Sequence, residues 1–332
     1  MNPARKSLLI LFSLCGLGVC FLLSLALGSK PVDLYEVIQA LLDSKGTSFT
    51  ALVVRERIPR TIFCNIAGAS LGVSGMMMQA ITRNPIADPS ILGVNTGASL
   101  FVVAGIAFFQ IGSASEYILF ALAGASLTAI FVYGIASLGA GGASPIKLAL
   151  AGAATSAALS SLVSALVLPR TNVMNAFRFW QIGSVSGASW EYILAALPFL
   201  AVGLIAGLLL APSLNALALG DDVAVGLGVR TAPIRMYGAA IGVLLCGAIT
   251  ALAGPIGFIG LMIPHVMRLL FGSDMRFTIP MTAIGGAGLL TLADVIGRLL
   301  GSPGELEVGI VTAFLGAPIL VIIARKVKAR AL

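Results

Sequence analysis

The sequence predicts an all-α, polytopic membrane protein of about ten transmembrane helices, and three observations predict it. Of its 332 residues, 58% are hydrophobic and only 10% are charged, where a soluble domain carries about 25% charged residues. The apolar residues gather into ten runs, most of them near the length of roughly 20 residues that crosses a bilayer. Basic residues fall between those runs with a bias to one side. The whole chain, 1–332, reads as a single transmembrane domain. Its 39 glycines suit helices that approach closely in lipid.

The expected spans are 8–28, 61–81, 91–110, 117–138, 146–168, 192–211, 236–254, 255–270, 279–297 and 307–324. The first follows Arg5 and Lys6 and is too long for a secretory h-region, so it is read as a retained helix. The second, sixth and seventh hold the pairs Gly68/Gly72, Gly203/Gly207 and Gly238/Gly242, a spacing that serves helix packing. The fifth is rich in Ala and Ser. The eighth is short and contains Pro255 and Pro264, so it is tilted, broken or extended into the next loop. The ninth contains Asp294 near its outer end, which reads as a helix-end acid paired with nearby Arg298. The tenth ends in the basic stretch Arg325–Arg330.

Charge tests this topology. With the N-terminus cytoplasmic and every run crossing, the inner segments hold 12 basic and 4 acidic residues, and the outer ones hold 8 and 9. The net charge of +7 thus divides as +8 inside and −1 outside. The positive-inside rule supports ten spans with both termini in the cytoplasm. Three connections are longer than turns: 29–60 and 169–191 outside, and 212–235 inside. In the inner one, Asp221 and Asp222 stand like an N-cap and an acidic first turn, which predicts a short surface helix. Gly68-Ala69 with Gly75 is echoed by Gly247-Ala248 with Gly254 in a span of opposite direction, which reads as an inverted repeat or as coincidence in a Gly/Ala-rich chain.

Several function classes are excluded. The basic residues form no continuous face, so nucleic acid is not an expected partner. The single histidine, His265, cannot build a multi-histidine metal site, and the four cysteines all lie in apolar stretches, so no metal, disulfide or cofactor is expected. No Gly-Lys dipeptide occurs, so there is no P-loop. No catalytic constellation appears at any spacing, and an enzyme is not expected. A chain this poor in buried acids does not look like a proton-driven carrier, which places its energy source in another subunit.

Two features are candidates for contact or passage. Gly152, Ser156, Ser160 and Ser164 recur every four residues in the fifth span, a small and weakly polar stripe. It reads equally as a wet pathway lining or as a close-packed helix face. On the outer side, Arg55, Arg57 and Arg60 cluster where positive charge is otherwise avoided. They read as a surface for a partner's carboxylates or as contact with anionic lipid.

Longer motifs carry a family resemblance. They are Arg57-Ile-Pro-Arg60-Thr61, then Ala80-Ile-Thr-Arg-Asn-Pro-Ile-Ala-Asp-Pro89 with Leu92-Gly-Val-Asn-Thr-Gly-Ala98. In the second half stand Gly254-Pro-Ile-Gly-Phe-Ile-Gly-Leu-Met-Ile-Pro-His265, Leu292-Ala-Asp294 with Arg298, and Glu305 to Pro318. From about residue 30 onward the chain resembles the permease subunits of ABC importers for ferric siderophores, haem and cobalamin, the type II importers. One departure is Glu307, where the family commonly has proline.

The resemblance implies a bacterial inner-membrane permease, paired with a second permease subunit, two cytoplasmic ATPase subunits and an extracytoplasmic binding protein. By position, Arg57, Arg60 and Arg298 match arginines that meet acidic residues of the binding protein. Gly220, Asp221, Asp222, Ala224, Gly226 and Gly228 fall in the segment that docks on the ATPase. The fifth span lines the pathway in the family, which favours the wet reading of its serines. Ferric siderophore is the expected cargo, with cobalamin or haem as alternatives. An ion-coupled secondary carrier is the more distant alternative, and a non-transporting scaffold is a third.

Overall fold

The computed structural model describes residues 3–43, 48–138 and 145–330, and the regular elements among them are all helical. In chain order they begin with α1 (Pro3–Ala26), α2 (Leu34–Leu42) and α3 (Phe49–Thr82). A 3-10 turn, Pro89–Leu92, leads into α4 (Val94–Ala104), which continues as a π-helix over Gly105–Phe109. Next come α5 (Ala114–Ser137), α6 (Pro145–Val167), α7 (Thr171–Gln181), α8 (Trp190–Ala218) and α9 (Asp221–Gly226). The chain closes with α10 (Thr231–Ala253), α11 (Ile259–Phe271), α12 (Met275–Leu300) and α13 (Val308–Arg330).

Seven of these helices are long and apolar enough to cross a membrane, and three more are shorter apolar helices, Val94–Phe109, Ile259–Phe271 and Val308–Ile322. The ten follow the ten expected spans in order. The short eighth run resolves as α11, whose 13 residues rise about 20 Å at 1.5 Å per residue. The irregular stretch 254–258 precedes it, with Gly254 at φ +70° and Phe258 also left-handed.

The helices overrun the expected apolar limits where caps lie further out. α3 starts at Phe49 and not near 61, because Ser48 accepts a hydrogen bond from the Ala51 amide. Outer connections expected as loops hold α2 and α7. α8 runs on through Pro212, since Leu214 and Leu217 are buried beyond it. There Asn215 donates to Asp274 at 2.7 Å and accepts from the Met275 amide at 2.8 Å, which ties the end of α8 to the start of α12. The Asn215 bond holds the Asp274 carboxyl below its ordinary pKa.

α3 is the central helix. In its apolar window 78% is buried, against 17% for α1. Glycines set its depth. A Cβ on Gly68 would strike the backbone of Gly286 in α12, and one on Gly75 the backbone of Gly260 in α11. Gly72 lies against Thr282 of α12, which completes a three-glycine face at helical spacing. Gly203, Gly207, Gly238 and Gly242 likewise meet side chains of neighbouring helices, as the packing reading expects.

The pairing of helices repeats between the halves. α3 packs on α12 and α10 on α5; α4 packs on α5 and α6, and α11 on α12 and α13; α1 packs on α12 and α8 on α5. The echoed glycines occupy matching places, since Gly68 faces α12 and Gly247 faces Leu122 and Ala125 of α5. α3 is the second crossing and α10 the seventh, so they run in opposite senses and the repeat is inverted.

Gly75→Ala therefore overpacks a backbone-to-backbone contact and should lower stability by about 1–3 kcal/mol. Gly112→Ala, at a glycine with open space around it, should leave stability within about 0.5 kcal/mol. Thermal unfolding of the two purified variants in detergent checks the pair.

Candidate functional site

A charged cluster forms where α1, α3 and α12 meet, near the start of α3. Arg60 donates through Nε and Nη2 to Asp294 Oδ1, at 3.1 and 2.7 Å, and through Nη1 to Glu305 Oε2 at 2.7 Å. Arg298 lies 3.1 Å from the other Asp294 oxygen. It also donates to the Ser24 carbonyl at 3.0 Å and the Ser24 hydroxyl at 2.9 Å, both on α1. Asp294, only 2% exposed, thus compensates two arginines at once. The pairing of Asp294 with Arg298, one turn apart, is the one expected for a helix-end acid.

Arg57 is held differently. It donates to the backbone carbonyls of Leu25, Ala26 and Lys30 at 2.8, 3.2 and 2.7 Å. These neutral acceptors orient the guanidinium without compensating its charge. Gly28 makes room for it, since a Cβ there would come within 2.6 Å of the Arg57 guanidinium and 3.4 Å of that of Arg298.

The three expected arginines therefore do share one place, but not one exposure. Arg57 is half-buried, and the Arg60 side chain is 13% exposed. Arg298 is 2% exposed in this single chain and stands behind the other two. The buried Asp294 and the α1 backbone hold it inside, where it can position Arg60 through their shared acid. Glu305, Gly28 and Ser24 are members of the cluster that the arginine pattern does not reveal. Glu305 stood in a motif of the resemblance without a role.

At the other end of α3, 23 residues and about 35 Å away, Arg83 lies 3.6 Å from Asp221 at the start of α9. Arg235 of α10 donates to both oxygens of Asp221 at 2.9 and 3.0 Å. The expected short helix exists, with one correction. Its N-cap is Gly220, at φ +113° and ψ 154°, and Asp221 and Asp222 both lie within the first turn. That backbone conformation is open almost only to glycine, so no Asp can stand at the cap. Ala224 is buried and anchors the helix. Asp222, Val223, Val225, Gly226, Leu227 and Gly228 are exposed, and Gly228 has φ +80°.

The fifth-span stripe is divided. A Cβ on Gly152 would strike the Ile91 carbonyl, so Gly152 packs against the 3-10 turn and faces no open space, a correction to its pathway expectation. Ser156 is half-buried beside Gly93, while Ser160 and Ser164 are exposed in this single chain. The Ser164 hydroxyl donates to the Ser160 carbonyl at 3.0 Å.

The sequence pattern of the FecCD transport family matches residues 16–326. The chain belongs to the FecCD family. It is 42% identical over 305 residues to the ferric enterobactin transport system permease FepD of Escherichia coli K12, covering 92% of this chain and 91% of that one. It is 40% identical over 318 residues to the Fe(3+)-citrate import permease YfmD of Bacillus subtilis 168, covering 96% and 93%. A metal-chelate type ABC transporter solved in an inward-facing conformation superposes with a TM-score of 0.83 at 28% identity, over 97% of this chain and 99% of that one. The expected family is confirmed. This FecCD-family chain is a multi-pass membrane protein and a transport permease subunit.

Asp294→Asn should strand Arg60 and Arg298 without their shared counter-charge and destabilise the protein by about 3–5 kcal/mol. Thermal unfolding in detergent reads this directly. A double-mutant cycle across Arg235 and Asp221, a half-exposed pair, should return only about 0.2–1 kcal/mol of coupling, falling as salt is raised.

Proposed function

We propose that the chain is the transmembrane permease subunit of an ATP-driven, binding-protein-dependent importer of ferric siderophores. The reading rests above all on the family match across residues 16–326, together with relatives named for ferric enterobactin and Fe(3+)-citrate. Both termini and the α9 end face the cytoplasm, as the charge bias supports. The Arg60 end faces outward in the bacterial inner membrane. A second permease subunit completes the pathway between two such chains, with Ser156, Ser160 and Ser164 of α6 along it. Separate ATPase subunits supply the energy, in keeping with the missing P-loop.

Each end then has a partner. The uncompensated Arg57 and the solvent-edge Arg60 attract carboxylates on the binding protein, with Arg298 behind them. At the inner end, Gly220, Asp221, Asp222, Ala224, Gly226 and Gly228 shape the α9 segment for a groove on the ATPase. Asp222 and the exposed apolar residues make contact, while Ala224 anchors the segment to the bundle.

The test is uptake of radioactive iron by cells whose own permeases are deleted, with ferric enterobactin, ferric citrate and cobalamin as competing probes. Iron uptake that needs the ATPase subunit and the binding protein supports the proposal. Uptake of cobalamin alone would redirect the cargo, and uptake driven by a proton gradient without the ATPase would defeat it. Reversing Arg57 and Arg60 to glutamate should weaken binding-protein docking by about tenfold or more at low salt. Gly226→Val, at a glycine with open space around it, should leave folding intact yet uncouple ATP hydrolysis from uptake. Normal uptake in that variant counts against the inner docking surface.

A further inference from the structure

We propose that Glu305 is an intramolecular competitor for Arg60, occupying it in the undocked permease and yielding it to a carboxylate of the binding protein. This rests on the docking reading above and adds to it a residue that sets docking affinity. Three of the five N–H groups of the Arg60 guanidinium are in use, at least one on each nitrogen. Asp294 takes Nε and Nη2, and Glu305 takes Nη1. An incoming carboxylate that takes Arg60 at an occupied N–H displaces one of the two.

Burial decides which one. Asp294 is 2% exposed and also faces Arg298, so pulling it away would leave buried arginines uncompensated. Glu305 is 32% exposed and lies in the stretch 301–307 between α12 and α13. Its departure exposes no unpaired group, because water can take the carboxylate and the newcomer takes Nη1. The exchange replaces one carboxylate with another on the same N–H group, so the charge around Arg60 is conserved. The stretch keeps its own anchors throughout, the Leu306 amide on the Gly297 carbonyl at 3.1 Å and the Gly309 amide on the Gly183 carbonyl at 3.0 Å. Arg57, held only by backbone carbonyls, makes the first attraction, and Arg60 engages by exchange.

A competitor that occupies a docking group lowers apparent affinity by the fraction of time it is bound. Removing it should tighten docking by about fivefold, the scale of a half-exposed ion pair. The experiment uses the full permease complex in nanodiscs and, as the probe, the soluble binding protein encoded beside the permease genes. Glu305→Gln should lower the docking Kd about fivefold, and in an Arg60→Gln background the same change should do nothing. Glu305→Asp, with a shorter reach to Arg60, should tighten docking in part and serves if the Gln variant folds poorly. Equal or weaker docking in both Glu305 variants overturns the inference. So does tightening that persists without Arg60, which would mark simple removal of surface negative charge. The docking reading fails separately, if reversing Arg57 and Arg60 leaves Kd unchanged.

Discussion

The backbone contact of Gly68 in α3 with Gly286 in α12 is the constraint on which the charged site depends. The two helices run antiparallel. Eight residues back along α3 stands Arg60, and eight residues on along α12 stands Asp294. Both shifts are about 12 Å toward the same end of the bundle. The glycine crossing thus sets the register at which Arg60 meets Asp294 at 2.7 Å. Gly72 beside Thr282, four residues further from that end on each helix, continues the same register. A side chain at the crossing would push the helices apart and lengthen the ion pair along with the packing.

The low-dielectric surroundings make that register matter. Charge that cannot reach water has to be compensated inside the protein. One buried acid serves Arg60 and Arg298, while a more exposed acid covers the remaining edge of Arg60. The cluster is therefore graded, with Arg298 fixed at the back, Arg60 at the solvent edge, and Arg57 beside them on backbone carbonyls. The proposed docking draws on this combination, because a fully buried arginine cannot contact a partner and a fully mobile one offers little orientation.

Much of this is legible in the sequence. The ten spans follow from apolar runs, and the pairing of Asp294 with Arg298 follows from one-turn spacing. The register of Arg60 against Asp294 does not, because it is set by a glycine crossing between residues 234 apart in the chain. The burial of Arg298 is hidden for the same reason, since nothing in the sequence places Ser24 of α1 against it. Helix limits were misjudged where polar caps extend a helix past its apolar run, as Ser48 does for α3. The α9 cap was misassigned because acids favour caps in general, while the local backbone at Gly220 admits almost only glycine. The place of Gly152 is not legible, because a stripe of small residues reads alike whether it faces water or, as here, a carbonyl of a neighbouring turn.

The inverted repeat explains why side chains, and not the backbone, must make the protein directional. The α3–α12 and α10–α5 pairs are built alike and point opposite ways, so the scaffold presents similar helix ends to both sides. Eight residues from its own crossing, α10 has Ala239, and the facing stretch of α5 is Ile130 to Tyr133, with no charge. The arginines and acids at the corresponding place in α3 and α12 have no counterpart there. At that other end the charge lies instead on Arg83, Asp221 and Arg235, around a short helix inserted between α8 and α10. The repeat supplies a symmetric frame, and two unlike charge clusters about 35 Å apart break the symmetry, so that each end can take a different partner.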